Sequence, residues 1–205
     1  MARNAPEKIS RRSWLLASLA IPLFGARAAE IAPLNVSFDG DNLHFAAPRL
    51  HFLSGKPLTR LKEGATVVFL SQMTLRDDRG LVRHAHERLN VSFDVWEEKF
   101  NVVLSVDRHT KLGMTQAAAE AWCFDNLVIS ALALEPNRPF WLRFDLRVAT
   151  ERELAALVSD PGLSIRNLIE YFGRKAGADE PSWVGEAGPL RLTDLPRTIA
   201  RRTRG

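Results

Sequence analysis

The chain has 205 residues, of which 46% are hydrophobic and 25% charged, and these values are typical of one folded domain and not of a disordered chain. The formal net charge of +4 comes from the two ends, since residues 1–28 carry five basic side chains and one acid, and the residues after Leu195 carry four basic side chains and no acid. Residues 29–195 hold 19 basic and 23 acidic side chains, so the body lacks the basic surface that nucleic-acid binding requires.

The first 28 residues have the layout of an export signal. Arg11 and Arg12 precede a modest apolar run from Trp14 to Phe24, and Ala26-Arg27-Ala28 supplies the small residues that a signal peptidase accepts. We expect a twin-arginine signal peptide over 1–28, cleaved after Ala28, which makes the export machinery a partner and the periplasm the destination. A general secretory signal and an uncleaved anchor are the alternatives. The apolar run is shorter than the roughly 20 residues of a membrane-spanning helix, and no span is expected in the mature chain.

Alternation of apolar and polar residues predicts strands from the start of the mature chain. Leu34, Val36 and Phe38 alternate, a turn of Asp, Gly and Asn follows, and Leu43 and Phe45 resume the pattern, which predicts a hairpin. The three longest alternating runs that come next predict an antiparallel meander; they are Thr66–Arg76, Leu81–Val95 and Phe100–Val106. A single helical turn is expected at 58–62 and a polar loop at 107–113.

The second half of the chain adds helices to the strands. Thr115 can cap a helix that runs to Phe124, with Ala118, Ala121, Trp122 and either Phe124 or Cys123 facing inward. Residues 127–134 form an apolar run that fits either a strand or a helix. Phe140–Val148 has the most regular alternation in the chain and predicts a strand.

The C-terminal part reads as two short helices, an edge strand and a tail. Thr150 to Glu153 forms a capping box that begins a helix ending near Val158, and Ser164 caps a second helix that stops at Gly173. Residues 189–192 predict an edge strand, and 196–205 a basic disordered tail.

These elements predict a mainly β, α+β fold. We expect an antiparallel β-sandwich or curved meander sheet with two to three packed helices, in one domain over residues 29–195.

Three short segments carry a resemblance. Val91–Phe100 reads V-S-F-D-V-W-E-E-K-F, Ala119–Cys123 reads A-E-A-W-C, and Pro139–Arg143 reads P-F-W-L-R. Together they resemble a group of uncharacterised exported bacterial proteins, a domain of unknown function. The resemblance spans roughly residues 30–195 and implies an exported β-rich domain; it transfers no catalytic residue and no cofactor.

The polar face of the central strands is the candidate ligand site. Asp94 and Trp96 come from one strand, and Trp141, Arg143, Asp145 and Arg147 alternate along another. If these strands are neighbours, tryptophans and charges share one face, and such surfaces suit a glycan, peptide or protein partner. The alternative is a solvated face with cross-strand ion pairs and tryptophans packed under a helix.

A metal site is the second possibility. His84 and His86 point to one face of a strand, and an acid such as Glu87 or Asp94 could join them. Arg83 and Arg88 lie close in sequence and would repel a cation, so solvated or structural histidines are the preferred interpretation.

Sequence motifs for catalysis are missing. The chain has no G-x-S-x-G elbow, no P-loop and no G-x-G-x-x-G. The lone Cys123 lies among apolar residues, which predicts a buried thiol and not a nucleophile. The adjacent Glu97 and Glu98 point apart and do not form an acid–base pair. We therefore expect a non-catalytic binding or accessory module of the cell envelope without a cofactor, with a metal-binding protein or hydrolase around His84 and His86 as the alternative.

Overall fold

A computed structural model of the protein describes residues 31–105, 108–150, 153–155 and 181–198. The expected signal peptide with Arg11, Arg12 and the cleavage point at Ala28 lies outside the described residues. So do the helix expected at 164–172, most of the one expected after Thr150, and all but the first residues of the tail.

Ten strands and two α-helices make up the described part of the chain. The strands are β1 (Ile31–Pro33), β2 (Asn35–Phe38), β3 (Asn42–Ala46), β4 (Val67–Asp77), β5 (Gly80–Asp94), β6 (Lys99–Leu104), β7 (Thr110–Met114), β8 (Val128–Ser130), β9 (Phe140–Val148) and β10 (Ser182–Leu190). The helices are α1 (Gly55–Lys62) and α2 (Gln116–Asp125), and a 3-10 turn covers Leu192–Asp194. The fold is mainly β with packed helices, as the alternation predicts.

Seven of the strands form one sheet in the order β1-β10-β9-β4-β5-β6-β7. The expected meander β4–β5–β6 is confirmed, with Phe69 opposite Leu89 and Leu89 opposite Leu104. All pairs are antiparallel except β1 with β10, which run parallel, so the sheet is mixed and not purely antiparallel as expected.

The inner face of this sheet carries the core. Phe69 and Met73 on β4 and Phe144 on β9 lie on that face and are at most 2% exposed. A small sheet in the order β2-β3-β8 covers it, since the rings of Phe45 and Phe144 are 5.0 Å apart. Helix α2 packs into the same layer through Phe124, 5.7 Å from Phe144. Two sheets and two helices therefore share one apolar interior.

The outer face of the large sheet is polar, with one apolar patch. Leu70 and Ala149 are buried there and pack against Leu154. Leu154 follows the capping box, which is confirmed: Thr150 Oγ1 accepts from Glu153 N at 3.3 Å, and Glu153 Oε2 accepts from Thr150 N at 2.8 Å. Leu154 therefore lies on the outer face.

Three elements differ from the expectation. Within the polar loop expected at 107–113, residues 110–113 belong to β7, an edge strand whose first four residues are exposed, so no burial pattern marks it. The ambiguous run holds the short strand β8. Of the edge strand expected at 189–192, only Pro189 and Leu190 belong to β10, which is longer and lies between β1 and β9 in the sheet.

Helix α2 begins where the cap predicts, but a different stripe faces inward. Thr115 Oγ1 accepts from Ala118 N at 3.3 Å. Ala118 and Ala121 are exposed, whereas Ala119, Glu120, Cys123 and Phe124 are buried. No helix in the described ranges is long and apolar enough to span a bilayer.

Candidate functional site

Strand β9 presents an alternating row of polar side chains on the outer face of the large sheet. Arg143 lies at the centre of this row and pairs with two carboxylates: its Nη2 is 2.8 Å from Asp145 Oδ1, and its Nη1 is 2.7 Å from Glu186 Oε1 on β10. The hydrogen bond to Asp145 raises the pKa of Arg143. The predicted site residues Arg143 and Asp145 are therefore a fixed ion pair, extended to Glu186 across the strands.

A groove of about 360 Å³ lies on this face at the Trp141 end of β9. Its lining residues come from three adjacent strands and are Thr74, Arg76, Trp141, Leu142, Arg143 and Glu186. This volume is at the small end of the range for ligand pockets. The groove combines an aromatic wall with charged groups, which is the combination that the sequence predicts for a binding surface.

Trp141 is held in the groove by the backbone of β10. A Cβ built on Gly188 would lie 2.5 Å from Trp141 Cδ1, and Gly188 has a φ of +145, a conformation that favours glycine. The indole is 42% exposed, so it packs against β10 through one part and is open to solvent through the rest. A glycine at this position is what lets the ring lie so close to the strand.

Arg76 is the cation of the groove that has no acidic partner among the described residues. It lies opposite Trp141 on one side and opposite Leu81 on the other, and Leu81 is 55% exposed. Within the described part of the chain, the Arg76 side chain makes no hydrogen bond and no ion pair, in contrast to that of Arg143. Its charge reaches His84, whose pKa is lowered first by burial and then by Arg76.

His84 and His86 lie side by side on the outer face of β5, as H-x-H on a strand requires. Their rings are 6.0 Å apart, and His84 Nδ1 is 3.3 Å from both Thr74 Oγ1 and Gln72 Nε2 on β4. Burial lowers the pKa of His86, and the charge of His84 lowers it further. Both imidazoles are thus harder to protonate than a free histidine side chain.

The acids proposed to complete a metal site with these histidines lie elsewhere. Glu87 is opposite Ser71 on the inner face, and Asp94 is at the far end of β5. Among the described residues, no group of three or more His, Cys, Asp or Glu side chains could hold a metal ion.

Asp94 and Trp96 are not part of the groove, because β4 lies between β5 and β9. Asp94 and Trp96 come after Val91, which is opposite Val67 at one end of β4. Trp141 is opposite Arg76 near the other end of β4, so the two tryptophans are separated by roughly 30 Å along the strand direction. Trp96 is 96% exposed at the tip of the β5–β6 hairpin, where Asp94 Oδ1 accepts from Trp96 N at 2.9 Å. The expectation that the two tryptophans share one surface is wrong.

A second pocket, of about 440 Å³, lies at the base of that hairpin. Its lining residues are Lys62, Phe93, Val95, Glu98, Phe100, Thr115 and Gln116. Neither Asp94 nor Trp96 lines it, so the predicted residues of this end do not form a joint site.

Arg147 shares the outer face with Arg143 but has a structural partner. Its Nη2 lies 2.7 Å from Glu153 Oε1, and both side chains are at most 10% exposed. This buried pair joins β9 to the segment that follows Thr150. Arg147 is therefore a link between elements and does not reach the groove.

Cys123 and Glu120 lie together on the buried side of α2. Cys123 is a free thiol with no exposed surface, as its apolar neighbours predict. Burial raises the pKa of Cys123, and the charge of Glu120 raises it further. A neutral, enclosed thiol of this kind behaves as a small apolar side chain.

Four residues that line the groove were not identified from the sequence, and neither was Gly188 beside Trp141; the four are Thr74, Arg76, Leu142 and Glu186. Arg76 continues the polar alternation of β4 and could have been included, because its side chain shares a face with Gln72 and Thr74. Glu186 and Gly188 lie in a stretch whose glycines indicate a loop.

No known protein family, curated protein sequence or solved structure matches the chain.

Proposed function

We propose that the protein is a non-catalytic binding module that holds a saccharide in the groove beside Trp141. The observation that carries the proposal is an indole fixed over Gly188 and facing charged side chains across a groove of about 360 Å³. The flat, apolar face of a sugar ring packs on an indole, while its hydroxyls hydrogen-bond to charged groups at the edge. Arg143 and Glu186 supply such groups in a fixed position.

The ion pairs around Arg143 support binding over catalysis. Arg143 and Asp145 are held by a bidentate contact, with Nε and Nη2 both near the carboxylate at 2.8 to 3.1 Å. A carboxylate that is occupied in this way is a poor general base, whereas a fixed network is a suitable frame for recognition.

The test is isothermal titration of the protein with two neutral saccharides, tri-N-acetylated chitotriose and the trimethyl ester of trigalacturonate. Trp141→Ala should weaken the binding of any saccharide that the protein takes by at least about tenfold, since aromatic contacts contribute on the order of 1 kcal/mol or more beyond burial. Gly188→Ala should act in the same direction, because its Cβ would displace the ring.

Trp96→Ala is the matched control, since it removes an even more exposed indole at the opposite end of the sheet. It should leave the affinity unchanged. Equal affinities for the Trp141 and Trp96 variants, with both chains folded by circular dichroism, would rule out the groove as the site.

We also propose that the module acts in the cell envelope after export through the twin-arginine route. The support is the Arg11–Arg12 signal and the small residues before Ala28. In a bacterial host, the full chain should be found shortened in the periplasm, and an Arg11→Lys, Arg12→Lys variant should stay in the cytoplasm at full length. Periplasmic delivery of that variant would contradict the route.

A further inference from the structure

We infer that the groove selects an acidic saccharide, one whose sugar ring carries a carboxylate, through Arg76; this inference rests on the function proposed above. Three groups from three different strands define the ligand: the Trp141 indole, the Arg76 guanidinium and the Glu186 carboxylate. Each of them sets a separate requirement on what binds.

The first requirement is a negative charge. Arg143 is neutralised by Asp145 and Glu186, whereas Arg76 lines the same groove with no ion pair in the part of the chain that the structure describes. A guanidinium presents a planar fork of donors that matches a carboxylate in bidentate geometry. The positive field of Arg76 is felt within the site, since it contributes to the lowered pKa of His84.

The second requirement is a flat apolar surface next to that charge. Trp141 and Leu81 are the two cross-strand neighbours of Arg76, and both are partly exposed, at 42% and 55%. Arg76 and Trp141 line the same groove, so a ligand held there can pair with the guanidinium and also contact the indole. A bare inorganic anion would use only the charge.

The third requirement is a set of hydroxyl donors. Glu186 Oε1 accepts a hydrogen bond from Arg143 Nη1 at 2.7 Å, and no donor in the described ranges is bonded to Glu186 Oε2. A carboxylate in the groove repels a ligand that is anionic all round, such as a phosphate, but accepts from sugar hydroxyls. A sugar ring with one carboxylate, its hydroxyls and an apolar face meets all three requirements.

The experiment compares trigalacturonate with its methyl ester, which has the same rings without the charge, by isothermal titration at low salt. The protein should bind the acid at least about tenfold more tightly than the ester, which is the ordinary contribution of a charge-assisted hydrogen bond. Arg76→Gln should lower the affinity for the acid to that for the ester and leave the ester unchanged. Added salt should reduce the preference of the wild-type protein.

Arg49→Gln is the matched control, because it removes one exposed positive charge that does not line the groove. It should keep the preference for the acid. Equal binding of acid and ester by the wild-type protein, or a preference that survives Arg76→Gln, overturns the inference about charge.

The two proposals fail differently. If the ester or chitotriose binds in a Trp141-dependent way and the acid binds no more tightly, the proposed saccharide-binding function is retained and the proposed role of Arg76 is contradicted. If the acid binds in an Arg76-dependent way that Trp141→Ala and Gly188→Ala do not alter, the site is a simple anion site and both proposals fall. If no saccharide binds, both fall as well.

Discussion

At the scale of single residues, Glu120 shows how a buried charge is used to hold a loop. It lies one helical turn after Gln116 on α2, and the two side chains bond both backbone groups of Leu53: Glu120 Oε1 accepts from Leu53 N at 2.8 Å, and Gln116 Nε2 donates to Leu53 O at 2.9 Å. The second carboxylate oxygen meets His51 Nδ1 at 3.0 Å. The buried backbone at Leu53 is not paired with a strand, and these two side chains supply the hydrogen bonds that a neighbouring strand would otherwise make.

Removing the Glu120 carboxylate should therefore destabilise the protein. Glu120→Ala leaves the buried Leu53 N–H without an acceptor and should lower the free energy of unfolding by about 1–3 kcal/mol. Glu120→Gln keeps an acceptor oxygen and should cost less. The measurement is urea unfolding at pH 7.

His51→Ala is the control for that experiment, because it removes the other partner of Glu120 and spares Leu53. The His51 side chain is 67% exposed, so its loss should change stability by no more than about 1 kcal/mol. A Glu120→Ala variant as stable as His51→Ala would show that the contact to Leu53 contributes nothing.

At the scale of elements, the cap of α2 is a feature that the sequence predicts and the structure confirms. Thr115→Ala removes the acceptor of Ala118 N and should lower the free energy of unfolding by about 1 kcal/mol. Thr115→Ser keeps the hydroxyl oxygen and is the matched control. Thermal unfolding followed by circular dichroism compares the three chains, and an alanine variant that melts with the serine variant would contradict the capping role.

Strands with regular burial were predictable because the alternation reports directly which face is covered. Strand β9 matches its predicted bounds, Phe140 to Val148, since no residue interrupts the period of two. Strand β10 was largely missed because its glycines read as a loop. A Cβ on Gly185 would meet Leu34 Cδ2 at 2.5 Å, and one on Gly188 would meet Trp141. These glycines serve close packing within a strand, which composition alone does not distinguish from a turn.

The part of the candidate site that lies on a single strand was predictable from the sequence, and the part that depends on neighbouring strands was not. Which face of β9 carries Trp141, Arg143 and Asp145 follows from alternation, and the structure places them on one surface. The partners of that surface depend on strand order, because β4 and β10 flank β9 and β5 does not. The order of strands in a sheet cannot be read from the local sequence of any one strand. The groove therefore contains Arg76 and Glu186 and not the predicted Asp94 and Trp96.

At the scale of the whole molecule, one apolar interior couples both sheets, so a local charge affects the stability of the entire domain. His84 and His86 have lowered pKa values in the folded protein, chiefly because of burial. The unfolded chain therefore binds more protons than the folded one once the pH falls below about 6.5. The free energy of unfolding should decrease from that point until the folded histidines also protonate.

Asp39 acts in a separate and more acidic range. Burial opposes its ionisation, but hydrogen bonds from His44 and from the backbone of Asn42 and Asp41 outweigh burial and hold its pKa well below the usual range. The stability that Asp39 contributes is complete above its unfolded value near 3.8 and is lost as the pH falls below it. Two windows of acid sensitivity should thus be separable.

Urea unfolding from pH 7 to pH 3 tests both windows. The urea concentration at the wild-type unfolding midpoint should decrease as the pH is lowered from 6.5 to 5. The midpoint of His86→Gln should decrease less over that range, because the variant lacks one of the two histidines whose protonation is disfavoured in the folded protein. His109→Gln, which changes an exposed histidine, should follow the wild type. Asp39→Asn should flatten only the loss below about pH 4. A His86→Gln variant that retains the full wild-type decline between pH 6.5 and 5 would mean that the outer-face histidines are not the groups that link folding to protons in that window.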